Sequence, residues 1–197
     1  PNPMEIDETS EKKVELPEDR VNLISLSALE KVKGIDIIIE AMKELKNENA
    51  TLHVVGSGSE EKSLKELSKN KGVQNHVKFH GQVPYGKVPS FYAQGDVATI
   101  SSRWPEPLSR IGTESLFFGK PLLATKVGGN RDLVDDGRNG YLVRPGKTDF
   151  SEKLKKLIED GDRRKKMGEE SRKIFENRFE KDTTIERITD LYREMIY

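Results

Sequence analysis

Two glutamates with seven residues between them are the strongest chemical signal in this 197-residue chain. They lie in the segment Ser101-Ser102-Arg103-Trp104-Pro105-Glu106-Pro107-Leu108-Ser109-Arg110-Ile111-Gly112-Thr113-Glu114. The prolines on either side of Glu106 fix its backbone and prevent a helix from extending back over it. Ser109 is then a natural N-cap, with Arg110 to Thr113 as the first helical turn. A first turn presents unpaired N–H groups and Arg110 adds positive charge, so this point is a local anion site with a carboxylate on each side. A ligand with phosphates in the middle and hydroxyl groups at both ends, such as a sugar nucleotide, has the matching shape. Spacing alone leaves a plainer reading open, with Glu106 on the surface and Glu114 as a partner of the helix dipole.

Three other segments could join this one. Lys33-Gly34 precedes a helical pattern, where a lysine opposes the helix dipole unless an anion sits between them. On spacing alone a solvated lysine in a turn is the simpler account. In Val54-Val55-Gly56-Ser57-Gly58-Ser59, Gly56 and Gly58 let the backbone approach a ligand, although a tight strand-to-helix turn needs glycine anyway. The third glycine of a dinucleotide fingerprint is absent, which disfavours an NAD-type site. Phe79-His80-Gly81-Gln82-Val83-Pro84 ends another strand-like run, whose backbone groups can face a flat base edge.

The elements that must position these loops follow from periodicity. Pro1 to Arg20 is Pro-rich and charged without apolar periodicity, and reads as a linker or an extended arm. From Val21 to residue 197 one domain is expected. Strands are predicted at Val21–Ser27, Thr51–Val55, Val77–His80, Val97–Ser101, Pro121–Lys126 and Gly140–Val143. Helical patterns fall between them: Ile35, Ile38, Ile39, Met42 and Leu45 on one face, Glu60–Asn70 with Leu64 and Leu67 inward, Val88–Gln94, the segment holding Glu114–Phe118, and Arg131–Asp135. Beyond Asp149 the chain reads as helical, with stripes at Leu154, Leu157 and Ile158, at Met167, Ile174 and Phe175, and at Ile185, Ile188, Leu191 and Tyr192. This alternation predicts an α/β fold with a doubly wound, Rossmann-like parallel sheet, which gathers the strand-end loops at one edge.

Composition limits the alternatives. The 34 basic and 34 acidic residues cancel, so no global field draws the chain to nucleic acid or anionic lipid. With no cysteine, thiol chemistry and cysteine-ligated zinc are excluded. His53, His76 and His80 lack ligand-like spacing and read as strand or core residues, so no metal is expected. No apolar run reaches membrane-spanning length and no signal pattern opens the sequence, so the expectation is a soluble cytoplasmic chain.

Taken in order, Lys33-Gly34, Ile39-Glu40-Ala41, Val55-Gly56-Ser57-Gly58, Phe79-His80-Gly81-Gln82-Val83, Gly95-Asp96-Val97, the Glu106/Glu114 pair, Gly119-Lys120-Pro121, Val127-Gly128-Gly129-Asn130 and Asp136-Gly137-Arg138-Asn139-Gly140-Tyr141-Leu142-Val143 resemble the C-terminal domain of the retaining glycosyltransferases with a GT-B fold, glycosyltransferase family 4 or group 1. The likeness covers about Val21 to Tyr197. It implies that Lys33 contacts the diphosphate of a UDP-, GDP- or ADP-sugar donor, together with backbone groups at Leu108, Ser109, Arg110 and Ile111. It further implies Gly56 and Gly58 at the donor, base contacts at Gln82 and Val83, the transferred sugar at Glu106 as the catalytic position, and ribose at Glu114. No metal or other cofactor is implied.

The sequence departs from the family pattern in three places. Ala28 stands where an arginine is usual, five residues before Lys33, and Leu108-Ser109 replaces Phe-Gly. Pro1-Asn2-Pro3 resembles the family's interdomain linker, so the N-terminal acceptor-binding domain is expected to be missing and the isolated chain to bind donor without turnover. The acceptor, membrane-associated or not, is left open. The alternatives are a non-catalytic nucleotide-binding or assembly module of the same fold, and a sugar-nucleotide epimerase.

Overall fold

A computed structural model describes residues 14–185. Six parallel strands form one sheet: β1 (Val21–Leu26), β2 (Ala50–Val55), β3 (Val77–Gly81), β4 (Val97–Ile100), β5 (Leu122–Thr125) and β6 (Gly140–Val143). Their spatial order is β3-β2-β1-β4-β5-β6. β2 is buried along its whole length, as a strand covered on both faces must be.

Helices flank the sheet, among them α1 (Ile35–Glu44), α2 (Glu61–Asn70), α3 (Val88–Gln94), α4 (Arg110–Phe117), α5 (Asn130–Leu133), α6 (Lys147–Glu159) and α7 (Gly161–Arg178). On one face Leu23, Leu52, Val54 and Leu123 pack with Ile38, Ile39 and Met42 of α1 and Phe150, Leu154 and Leu157 of α6. On the other face Ala98, Ile100, Leu122 and Ala124 meet Leu116 of α4 and Ile174 and Phe175 of α7. Phe91 and Tyr92 of α3 cover Ile24, Leu26 and Val55 beside them. α1 buries Ile35, Ile38, Ile39 and Met42, with Leu45 just past its end, which is the face its periodicity predicts.

The predicted strands, and the predicted helices up to the Met167, Ile174 and Phe175 stripe, are present, with ends moved by a few residues. β1 ends at Leu26, one residue short of the expected end, although Ser27 N–H still continues the ladder to the Val55 carbonyl at 3.0 Å. The part of the expected arm over 14–20 lies along α3: Leu16 N–H donates to Gln94 Oε1 at 3.0 Å, and Gln94 Nε2 donates to the Val14 carbonyl. Residues 1–13 of that arm lie outside the described residues, as do Ile188, Leu191 and Tyr192 of the third stripe. Ile185, the remaining member of that stripe, is exposed.

The histidines take structural places. Asn22 Nδ2 donates to the Pro17 carbonyl, so its Oδ1 accepts from His53 Nε2 at 3.0 Å. His53 Nδ1 is then left to accept from His80 Nε2, also at 3.0 Å. Burial, together with His80 and Lys78 nearby, lowers the His53 pKa to about 4.

Candidate functional site

The strand order reverses direction between β1 and β4, and in open α/β sheets ligands bind in the crevice at that switch point. The loops leaving those two strands carry Ser27, Ala28 and Lys33 from β1 and Ser101 through Ser109 from β4. β2 and β3 deliver the flanking loops. A register shift at Val54/Val55 opposes Val55 to Gly81 and re-aims the end of β3 just before Gln82 and Val83.

Close approach of backbones locks these loops together. A Cβ on Gly56, at φ +135°, would collide with the Ser27 carbonyl oxygen; one on Gly34, at φ +67°, would strike the Ser101 carbonyl. Gly58 sits against the Leu29 backbone in the same way. These glycines are thus accounted for by loop-to-loop packing, the plainer of the two readings of the Gly-x-Gly turn.

A cleft of about 410 Å³ opens at this edge. The end of β1 and its loop line it with Leu26, Ser27 and Ala28, the end of β2 and its loop with Val55, Gly56 and Ser57, and the segment after β3 with Gln82, Val83, Tyr85 and Val88. Arg110, Ile111 and Glu114 of α4 close it. Next to it is a recess of about 20 Å³, lined by Lys33, Ser101, Ser102, Glu106 and Ser109 among others. Gly58 and Leu108 line neither space; Leu108 packs on the core beneath α4.

α4 starts as its sequence requires. Ser109 is extended, and its Oγ accepts from Gly112 N–H at 3.3 Å. Glu114 follows one turn in and is only 3% exposed. Its Oε2 accepts from Tyr92 OH at 3.1 Å, while Oε1 accepts from Tyr85 OH and from Arg110 Nε, both at 2.9 Å. A buried carboxylate needs such donors, since an unpaired charge there would be strongly disfavoured. Arg110 also lies over the Tyr85 ring, 4.6 Å from its centre. Burial and the Glu114 charge push the Tyr92 hydroxyl well above its usual pKa, so it stays protonated and donating. The helix-dipole account of Glu114 gives way to this network.

At the other end, Lys33 Nζ pairs with Glu106 Oε1 at 2.5 Å, and Ser102 Oγ donates to the same oxygen at 3.1 Å. Lys33 belongs to a 3-10 turn, Lys31–Lys33, that ends at left-handed Gly34, so it is a turn lysine with a specific partner rather than a solvated one. Glu106 is held from behind, where Gly129 N–H donates to its carbonyl at 2.8 Å. Ala28 is exposed at the cleft edge and has no side chain to reach a ligand.

The structure therefore brings together Gly56, Gln82, Val83, Arg110, Ile111 and Glu114 in the cleft, and Lys33, Glu106 and Ser109 in the adjoining recess. Sequence reasoning missed Tyr85 and Tyr92. The available signal was Glu114 itself: an acid placed on the inward face of a helix demands donors from the element packed against it. Among the described residues, no group of three or more His, Asp or Glu is arranged to hold a metal, and no helix is long and apolar enough to cross a membrane.

Comparison with known proteins agrees with this architecture. The spore coat protein SA of Bacillus subtilis is 27% identical over 182 residues, which are 87% of this chain and 48% of that protein. A crystal structure of Anabaena HepE in complex with UDP superposes with a TM-score of 0.82 at 27% identity, over 89% of this chain and 49% of that one. The C-terminal domain of a group 1 family glycosyl transferase, LpcC of Francisella tularensis, shares the fold at a TM-score of 0.74 and 24% identity, and 86% of that domain is covered. The chain thus spans about half the length of the curated relatives it matches, but most of an isolated C-terminal domain. The Glycosyl transferases group 1 profile matches residues 6–174, and the chain belongs to that family, as the Rossmann-like C-terminal domain of its GT-B fold.

Proposed function

We propose that this chain is the donor-binding domain of a retaining glycosyltransferase, which transfers a sugar from a nucleotide diphosphate to an acceptor hydroxyl. The observation that carries the reading is the arrangement along one crevice: a buried, fully oriented carboxylate at Glu114, the capped start of α4 with Arg110 beside it, and the Lys33–Glu106 pair at the far end. Ribose hydroxyls would bind at Glu114, the base against Gln82 and Val83, and the diphosphate near Lys33 and the first turn of α4. Glu106 would face the transferred sugar. In the free protein Lys33 and Glu106 neutralise each other. An arriving diphosphate would draw Lys33 away and leave Glu106 available to sugar hydroxyls. The departing diphosphate would be stabilised by protein cations and N–H groups instead of a metal.

UDP is the first nucleotide to try, because the HepE structure that resembles this chain holds UDP. The acceptor would be bound by an N-terminal domain joined through residues 1–20, so this chain alone would bind donor without transferring it. A cytoplasmic location belongs to the same proposal. A nucleotide-binding module without catalysis is the second reading, favoured by Ala28 in place of a phosphate-binding arginine.

Calorimetry against UDP, GDP, ADP and CMP tests the proposal. One nucleotide should bind, and Glu114→Gln should weaken it about fivefold to tenfold by replacing charge-assisted hydrogen bonds with neutral ones. Absence of binding at millimolar concentration to both this chain and its Ala28→Arg variant would refute the donor-binding reading.

A further inference from the structure

Leu26, Ser27 and Ile111 line both the cleft that holds Glu114 and the recess that holds Lys33 and Glu106. A ligand reaching from one carboxylate to the other has to pass over these three residues. Ser27 has the only polar side chain among them. Its Oγ is buried and makes no hydrogen bond within the protein, one of two side-chain oxygens in that condition among the described residues. Buried hydroxyls are nearly always paired, so an unpaired one at the neck between the cleft and the recess calls for an explanation.

The backbone cannot carry this hydroxyl elsewhere. Ser27 N–H is committed to the Val55 carbonyl, and its own carbonyl is pressed against Gly56. The two cations nearby are already engaged: Lys33 with Glu106, and Arg110 with Glu114. Either must give up a partner to meet an incoming phosphate. The Ser27 hydroxyl has none to give up.

We propose that Ser27 is a donor-binding residue, whose hydroxyl donates a hydrogen bond to a phosphate oxygen of the nucleotide diphosphate at the neck between cleft and recess. The inference rests on the donor-binding reading above. It gives this chain a phosphate contact of its own beside Ala28, which offers no donor group.

Ser27→Ala deletes only the unpaired oxygen, so the thermal midpoint of the free chain should stay unchanged or rise. Wild type and variant are titrated by calorimetry with UDP, GDP and ADP, and with uridine, guanosine and adenosine. The diphosphate that binds wild type should bind the variant about tenfold more weakly, while its nucleoside is unaffected. Equal diphosphate affinity in the two proteins overturns the inference and leaves the donor-binding reading standing, as would a lower thermal midpoint with unchanged binding. A parallel loss for diphosphate and nucleoside also overturns it, because the effect would then act through the base and ribose. If none of the three diphosphates binds wild type, the inference falls, and the donor-binding reading falls with it when the Ala28→Arg variant is silent too. Ser27→Gly, which lacks the same oxygen, should reproduce the alanine result.

Discussion

Removing the Glu114 carboxylate should unsettle the fold in a way that depends on Tyr92. The two side chains share a buried hydrogen bond of 3.1 Å, and Tyr92 is fully buried. A buried hydrogen bond to a charged group contributes about 1.5–3 kcal/mol, so Tyr92→Phe should cost that much. Glu114→Ala loses three hydrogen bonds. Tyr85 and Arg110 lie open to solvent and can rehydrate, and the Tyr92 hydroxyl keeps a weaker bond to the Ile111 carbonyl at 3.3 Å. The expected cost is about 2–3 kcal/mol, or roughly 4–12 °C in thermal midpoint for a chain of this size. Both single variants lose the same bond, so the double variant should be less destabilised than the sum by about 1.5 kcal/mol. Urea unfolding of the four proteins, followed by circular dichroism, measures this coupling. Additivity within about 0.5 kcal/mol would show that Tyr92 does not support Glu114, and the account of how this acid is held would fail.

Stability should fall on acidification below neutrality through the His53–His80 pair. His53 has a folded pKa of about 4 against an ordinary 6.5, so the unfolded chain binds its proton first, and up to about 3 kcal/mol is lost as pH drops from 6.5 towards 4. His53→Asn should flatten that part of the profile in urea titrations at stepped pH; an unchanged slope would contradict the depressed pKa. Gly56→Ala should cost about 3 kcal/mol or more, from the collision with the Ser27 carbonyl and from the φ of +135°. A midpoint within 2 °C or so of wild type would show that the two loops can separate.

The sequence carried the architecture well because local signals and fold agree along most of it. α3 spans Val88–Gln94 and β6 spans Gly140–Val143, both as periodicity and turn residues placed them. The Ser109 cap was legible because capping is a property of three or four neighbouring residues. The partnerships inside the site are different in kind. Lys33 and Glu106 are 73 residues apart, Tyr92 and Glu114 are 22 apart, and no short-range pattern joins them. Gly56 and Gly58 show the opposite limit, since a glycine that admits a ligand and one that admits a neighbouring loop look identical in sequence. The Ser27 hydroxyl was invisible because it follows directly on a buried strand, and only the surroundings of its oxygen set it apart.

The glycine contacts also bear on how this edge could be re-engineered. Gly34 rests on the loop after β4, Gly56 on the loop after β1, and Gly129 against the Pro107 carbonyl. Each loop is therefore the mould in which its neighbour is cast. A segment such as Gln82-Val83 lies outside these contacts and should accept transplantation from a relative with a different base preference. The stretches around Ser27, Gly56 and Pro107 would have to be exchanged as a matched set, because a graft of any one of them would arrive shaped for a partner that is not there.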